Sequence, residues 1–92
     1  MNLMRMEAQI STKQQAITEL LCFGQLAEIL QAGRLTLHGM ADTDALKALL
    51  LEQYPALAAV RFTMAVNRNI VHENTPLAPG DVVALMPPFS GG

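Results

Sequence analysis

Between Ala16 and Phe23, apolar residues fall on both sides of an extended chain. Ile17, Leu21 and Phe23 share one side with Glu19, while Leu20 and Cys22 point the other way. That pattern predicts an inner strand with most of its surface covered. Leu26, Ile29 and Leu30 then follow at helical spacing, which predicts about two turns of helix, with Gly33 as the stop. Arg34 to Met40 alternates, Leu35 and Leu37 against Arg34, Thr36 and His38, as a half-buried strand antiparallel to the first would. Asp42-Thr43-Asp44 opens a second helix. Asp42 or Thr43 can cap its free N–H groups, and the acidic charges suit the positive end of the helix dipole. Leu46, Leu49, Leu50 and Gln53 lie on neighbouring turns, and Pro55 ends the helix near Tyr54.

The second half of the chain reads as strands and turns. Arg61 to Val66 is a strand, Asn67-Arg68-Asn69 a turn because Asn tolerates positive φ, and Ile70-Val71-His72 the returning strand. Glu73-Asn74-Thr75-Pro76 breaks that strand, and Leu77-Ala78-Pro79-Gly80-Asp81 places Pro and Gly at turn-compatible spacing. Val82 to Met86 is a continuous apolar run, of the kind found at sheet centres. Residues 1–15 carry no clear period and read as an extension expected to be poorly ordered, with Met4 and Met6 as alternative starts. The domain is therefore expected over 16–86, followed by a tail over 87–92. The order is strand, short helix, strand, helix, hairpin, strand and tail. Its economical solution is one sheet wrapped on one main helix, an α+β layer fold.

Composition narrows the function. The chain of 92 residues is 51% hydrophobic and 15% charged, which fits one globular domain that leaves some apolar surface for a partner. Its net charge of −2 is scattered, with no basic cluster, which argues against nucleic acid. Cys22 is the single cysteine, so no internal disulfide can form and a reducing compartment is expected. No apolar run has the ~20 residues of a membrane span. The first fifteen residues lack the features of a secretory signal. The expected location is cytoplasmic.

The chain ends in Gly91-Gly92 after Met86-Pro87-Pro88-Phe89-Ser90. Two terminal glycines have no side-chain chemistry. They present a bare carboxylate on a thin stalk that can enter a slot too narrow for other residues. The two prolines pre-extend the stalk and reduce the entropy lost on docking, and Phe89 supplies an aromatic anchor. The pattern points to a C-terminus that is inserted into another protein and modified at its carboxylate.

This order and ending resemble the ubiquitin-like β-grasp sulfur carriers, and among them the small subunit of molybdopterin synthase. Four pieces carry the resemblance: Phe23-Gly24-Gln25-Leu26-Ala27-Glu28; the Asp42–Tyr54 helix; the hairpin Ala65-Val66-Asn67-Arg68-Asn69-Ile70-Val71; and the stretch from Pro76 to Gly92. The last is the specific one, combining a Pro-Leu-x-x-Gly-Asp turn, an apolar strand and a terminal Pro-Pro-x-Ser-Gly-Gly. The resemblance covers residues 16–92. The chain departs from it at Leu85-Met86, where familiar members carry an aromatic pair, a difference that bears on partner affinity rather than on the terminus. It implies a β-grasp with a mixed sheet of four to five strands on one main helix and a flexible C-terminal tail.

The resemblance also implies a function. An activating enzyme would use ATP and magnesium to adenylate Gly92, and a sulfur donor protein would displace AMP to leave a thiocarboxylate. The tail would then enter the large subunit of molybdopterin synthase, in a heterotetramer, to build the dithiolene of molybdopterin. Gly92 would be the reacting residue, Gly91 the steric requirement, and Pro87, Pro88, Phe89 and Ser90 the docking stalk. The chain would be non-catalytic alone and would bind no cofactor or metal itself. Phe23, Ile70 and Met86 fall where the family presents apolar side chains to the large subunit. Phe23 and Met86 fit a buried strand face equally well, whereas Ile70, directly after a turn, fits a partner surface better.

Other reactive residues point elsewhere. Cys22 reads as a buried strand residue, since no helix N-terminus or basic neighbour would activate it. His38 and His72 have no metal-ligand spacing and read as surface residues, as does Arg68. No Gly-rich phosphate loop is present. The alternatives are a carrier for another pathway, such as thiamine or amino-acid synthesis, or a ubiquitin-like conjugation or adaptor module.

Overall fold

The last strand of the domain pairs in parallel with the first, and every other strand is laid down around that pair. The computed structural model describes residues 17–88. It contains β1 (Ile17–Cys22), α1 (Gln25–Leu30), β2 (Arg34–His38), α2 (Thr43–Gln53), a 3-10 helix (Pro55–Ala59), β3 (Thr63–Val66), β4 (Asn69–Val71) and β5 (Val82–Met86). The five-stranded sheet has the order β2-β1-β5-β3-β4. Among these strands β1 and β5 alone run parallel, in the register Leu20↔Val83 and Cys22↔Leu85; β1–β2, β3–β5 and β3–β4 are antiparallel. A mixed sheet of this order packed on one main helix is the ubiquitin-like β-grasp.

Thr18, Leu20 and Cys22 of β1, Met64 and Val66 of β3, and Val83 and Leu85 of β5 are buried on one sheet face. Leu46 and Leu50 of α2, Leu26 and Leu30 of α1, and Leu57 of the 3-10 helix close over them. β1 is an inner strand, as its pattern predicts, but it is covered on one face only. Ile17, on a strand expected to be mostly covered, is exposed, and so is Phe23, for which the sequence left a buried face and a partner surface equally open. The reason is that both helices pack against the same face, leaving the other to solvent.

α2 begins at Asp42, whose Oδ1 accepts a 2.8 Å hydrogen bond from the Ala45 N–H. The segment read only as a strand breaker completes this cap. Asn74 Oδ1 accepts from the Asp44 N–H at 2.9 Å, Thr43 Oγ1 accepts from the Thr75 N–H at 2.9 Å, and the Thr43 N–H donates to the Thr75 carbonyl at 2.9 Å. Pro55 follows the helix as expected, but it opens a 3-10 helix that seats Leu57 in the core. α1 stops earlier than Gly33: Gln31 takes the left-handed conformation with φ 56°, and the Ala32 N–H returns to the Ala27 carbonyl. The backbone closes there without a glycine.

Asn67 and Arg68 both have positive φ in the β3–β4 turn, which matches the twist of a two-residue hairpin. Asn67 also ties that turn to the start of β5. Its Oδ1 accepts from the Val82 N–H and its Nδ2 donates to Asp81 Oδ1, both at 3.0 Å. Asp81 Oδ2 accepts from the Ala78 N–H at 2.8 Å. The Ala78 N–H, with the Asn67 amide second, holds the Asp81 carboxyl below its ordinary value.

Two measurements check this account. Leu46→Ala removes a fully buried side chain under the sheet and is expected to cost about 2–5 kcal/mol, read as a lower urea midpoint with an unchanged slope. Because the Asp81 pKa is depressed on folding, its contribution is full above the unfolded aspartate value of about 3.9 and is lost as pH falls through the folded value. Asp81→Asn should therefore be less stable than the parent at neutral pH. It should also show a shallower loss of urea midpoint below about pH 4.

Candidate functional site

The sheet face opposite the helices is built by the alternate residues of all five strands. Register places Arg34, Leu21, Ala84, Ala65 and Ile70 in one row across β2, β1, β5, β3 and β4. The neighbouring row toward the carboxyl end of β5 pairs Met86 with Thr63. Phe23 follows β1 at that same end, and its N–H donates to the Leu85 carbonyl at 3.0 Å. Phe23 is 48% exposed and Ile70 42%, while Met86 is half-buried. All three are therefore on the open face and none is a core residue.

The β1–β2 side of this face is polar. Glu19 stands opposite Thr36, whose hydroxyl donates to Glu19 Oε2 at 3.3 Å, and Arg34 Nε lies 3.5 Å from Glu19 Oε1. His38 is exposed beside them. The apolar part thus runs from Leu21 toward β4, with small alanines at its centre and Phe23, Met86 and Ile70 at its margin. Sequence reading missed Leu21, Ala65 and Ala84 as members of this face. The period-two alternation of β1 carries the signal for Leu21, but the unbroken apolar run of β5 hides the one for Ala84.

The tail begins at the edge of this face. Pro87 and Pro88 are exposed directly after β5. Phe89, Ser90, Gly91 and Gly92 lie outside the described residues. Pro88 borders a shallow groove of about 530 Å³, together with Leu57, Val60, Arg61 and Phe62. Lys47 Nζ lies 5.8 Å from the centre of the Phe62 ring, within reach of a cation–π contact.

The remaining candidates fall where the pattern put them. Cys22 is buried beneath the helices, and burial pushes its thiol pKa up, which keeps it protonated and unreactive. His38, His72 and Arg68 are exposed. Among the described residues, no group of three or more His, Cys, Asp or Glu could hold a metal ion. Also among the described residues, no helix is long and apolar enough to cross a membrane. What the arrangement offers is a surface and a tail, fixed to each other through β5.

Comparison with known proteins agrees with this geometry. The small archaeal modifier protein 1 of Methanosarcina acetivorans is 27% identical, with a TM-score of 0.67 over 84% of this chain and 97% of its own. The corresponding modifier of Haloferax volcanii is 28% identical, with a TM-score of 0.66 over 80% of this chain and 99% of its own. A chain from the complex of subunits 1 and 2 of the molybdopterin-converting factor of Helicobacter pylori is 29% identical, with a TM-score of 0.62 over 83% of this chain and 99% of its own. Residues 20–92 match the ThiS family, and the chain belongs to that family of ubiquitin-like sulfur carriers.

Proposed function

We propose that this chain is the small subunit of a molybdopterin synthase and carries sulfur as a thiocarboxylate on Gly92. The observation that carries the reading is the continuity between the apolar open face and the root of the tail. Phe23 and Met86 stand at the end of the face where Pro87 and Pro88 leave the sheet toward Gly91-Gly92. A partner that covers this face receives the tail in the same encounter. The Helicobacter pylori relative, a complex of two subunits of a molybdopterin-converting factor, supports a large-subunit partner of that kind.

The chemistry follows from the terminus. A carboxylate is a poor electrophile. An activating adenylyltransferase, using its own ATP and magnesium, would transfer AMP to the Gly92 carboxylate and release pyrophosphate. A sulfur donor protein would then displace AMP and leave the thiocarboxylate. Its charged sulfur would attack the pterin precursor inside the large subunit, where Gly91 lets the enzyme close around the reacting carbon and exclude water. The chain contributes its face, its stalk and its terminal carbon, while the catalytic side chains belong to its partners. All of these partners would work in the cytoplasm.

A second reading has its own support. Two of the relatives are small archaeal modifier proteins at similar identity, so the same adenylated terminus could be joined to an amine of another protein.

Incubation with ATP, an activating enzyme and a sulfide source should raise the intact mass by one oxygen exchanged for one sulfur. Deletion of Gly92 should abolish the gain and leave the urea midpoint unchanged. No gain, with a competent control carrier converted in the same mixture, would overturn the carrier reading; adducts on lysines of other proteins would favour the modifier. Ile70→Asp places a charge on the exposed apolar margin. It should change stability by less than about 0.5 kcal/mol while reducing copurification of a molybdopterin synthase large subunit at least tenfold.

A further inference from the structure

Gly24 sits at the junction of β1 and α1 with φ 57° and ψ −133°, a backbone region that L side chains rarely enter. Its carbonyl accepts the Ala27 N–H at 3.1 Å and starts α1, while the preceding Phe23 N–H is held by the Leu85 carbonyl at 3.0 Å. The turn is thereby tied to both the first helix and the last strand. A Cβ built on Gly24 would lie 3.1 Å from Pro87 Cγ and 3.7 Å from Pro87 Cδ. The first residue of the tail therefore rests against a bare backbone, and the next, Pro88, borders the groove formed by Leu57, Val60, Arg61 and Phe62. By contrast Gly33, in the α1–β2 connection, has nothing within 4 Å of the position a Cβ would take.

We propose that Gly24 is a positioning residue: by leaving room for the Pro87 ring, it sets the direction in which the carboxyl-terminal tail leaves the sheet. The consequence for activation rests on the carrier reading above. On that reading the body of the open face docks, and the tail that leaves from its edge carries the reacting carboxylate. A side chain at position 24 would displace Pro87 while leaving Leu21, Ala65, Ala84 and Ile70 in place. The activating enzyme would still bind the body but would receive the carboxylate off its line of attack. Displacement of a reacting group by about 1 Å can cost on the order of 100-fold in rate. The defect should therefore appear in kcat, with KM retained.

The test uses the full chain as Gly24→Ala, Pro87→Ala and the double variant, with Gly33→Ala as control. Three quantities are read. The first is the urea midpoint. The second is the nuclear Overhauser contact between the α-protons of Gly24 and the Pro87 ring in the parent, and between the introduced methyl group and that ring in the Gly24→Ala variant. The third is ATP–pyrophosphate exchange with the carrier as the varied substrate. Gly24→Ala is expected to lower kcat at least tenfold, hold KM within about twofold, and change the Overhauser contact. The φ strain will lower the urea midpoint in either background, but the loss should be smaller in the Pro87→Ala background, where no Cγ remains to be met. Gly33→Ala should match the parent in all three. An unchanged kcat in folded Gly24→Ala protein would overturn the proposal. So would equal stability losses in the two backgrounds with the Overhauser contact intact. If the parent itself supports no exchange, the carrier reading fails, while the contact and the stability cycle still decide whether Gly24 seats the tail.

Discussion

The parallel pairing of β1 with β5 is the constraint on which the rest of this structure depends. It joins residues near the two ends of the domain at the centre of the sheet, so β5 is held by β1 on one side and β3 on the other. A strand held on both sides cannot fray easily, and it keeps its last residue in register with its neighbours. Because both strands run the same way, the end of β5 emerges beside the end of β1. Phe23, Gly24, Met86 and Pro87 are therefore neighbours although they are far apart in sequence. The tail leaves from a strand paired on both sides, next to a turn that the same pairing fixes.

A second set of long-range contacts keeps one sheet face closed and the other open. The Asp42, Thr43, Asn74 and Thr75 network fastens the start of α2 to the segment between β4 and β5. With that end anchored, Leu46 and Leu50 come down over Leu20, Val83 and Leu85. The 3-10 helix adds Leu57 on the same side. All helical cover is spent on one face, which is why the opposite face stays available to a partner.

The elements and their order were legible because they depend on local pattern: alternation in β2, helical spacing and a cap in α2, turn residues at 67–68 and 78–81. The faces were only half legible. β1 has apolar residues on both sides, and sequence alone does not say which side the helices choose; the answer comes from α2, whose position depends on Asn74. Ile70 was legible as exposed because a hairpin tip and an edge strand leave few neighbours to cover it. Phe23 and Met86 were not, since their environment depends on where α1 turns away and where β5 ends. The 3-10 helix was missed because a single short segment has no period to display. The stop of α1 was placed at Gly33 because glycine is the usual left-handed residue, yet Gln31 takes that conformation here. The contact between Gly24 and Pro87 leaves no trace in either segment by itself.

Phe23 and Ile70 are left facing water at a site where a polar residue would serve an isolated domain as well. Apolar surface is worth roughly 25 cal/mol per Å² when it is buried, and the described fold leaves roughly half of each of these residues uncovered. Between them stand Ala65 and Ala84, too small to fill the middle of the face. The surface is thus low at the centre and apolar at its rim, and a protruding apolar group from another molecule could fill it. On the other side Glu19, Arg34 and Thr36 close the patch with a polar border, the Thr36 hydroxyl donating to Glu19 Oε2 and Arg34 Nε lying 3.5 Å from Glu19 Oε1. Such a border would favour one lateral position for a partner docked as proposed, because shifting across it would bury charged groups without matching them. Since β5 carries Ala84 in the patch and Pro87 just beyond it, a partner docked on this face as proposed would lie next to the root of the tail.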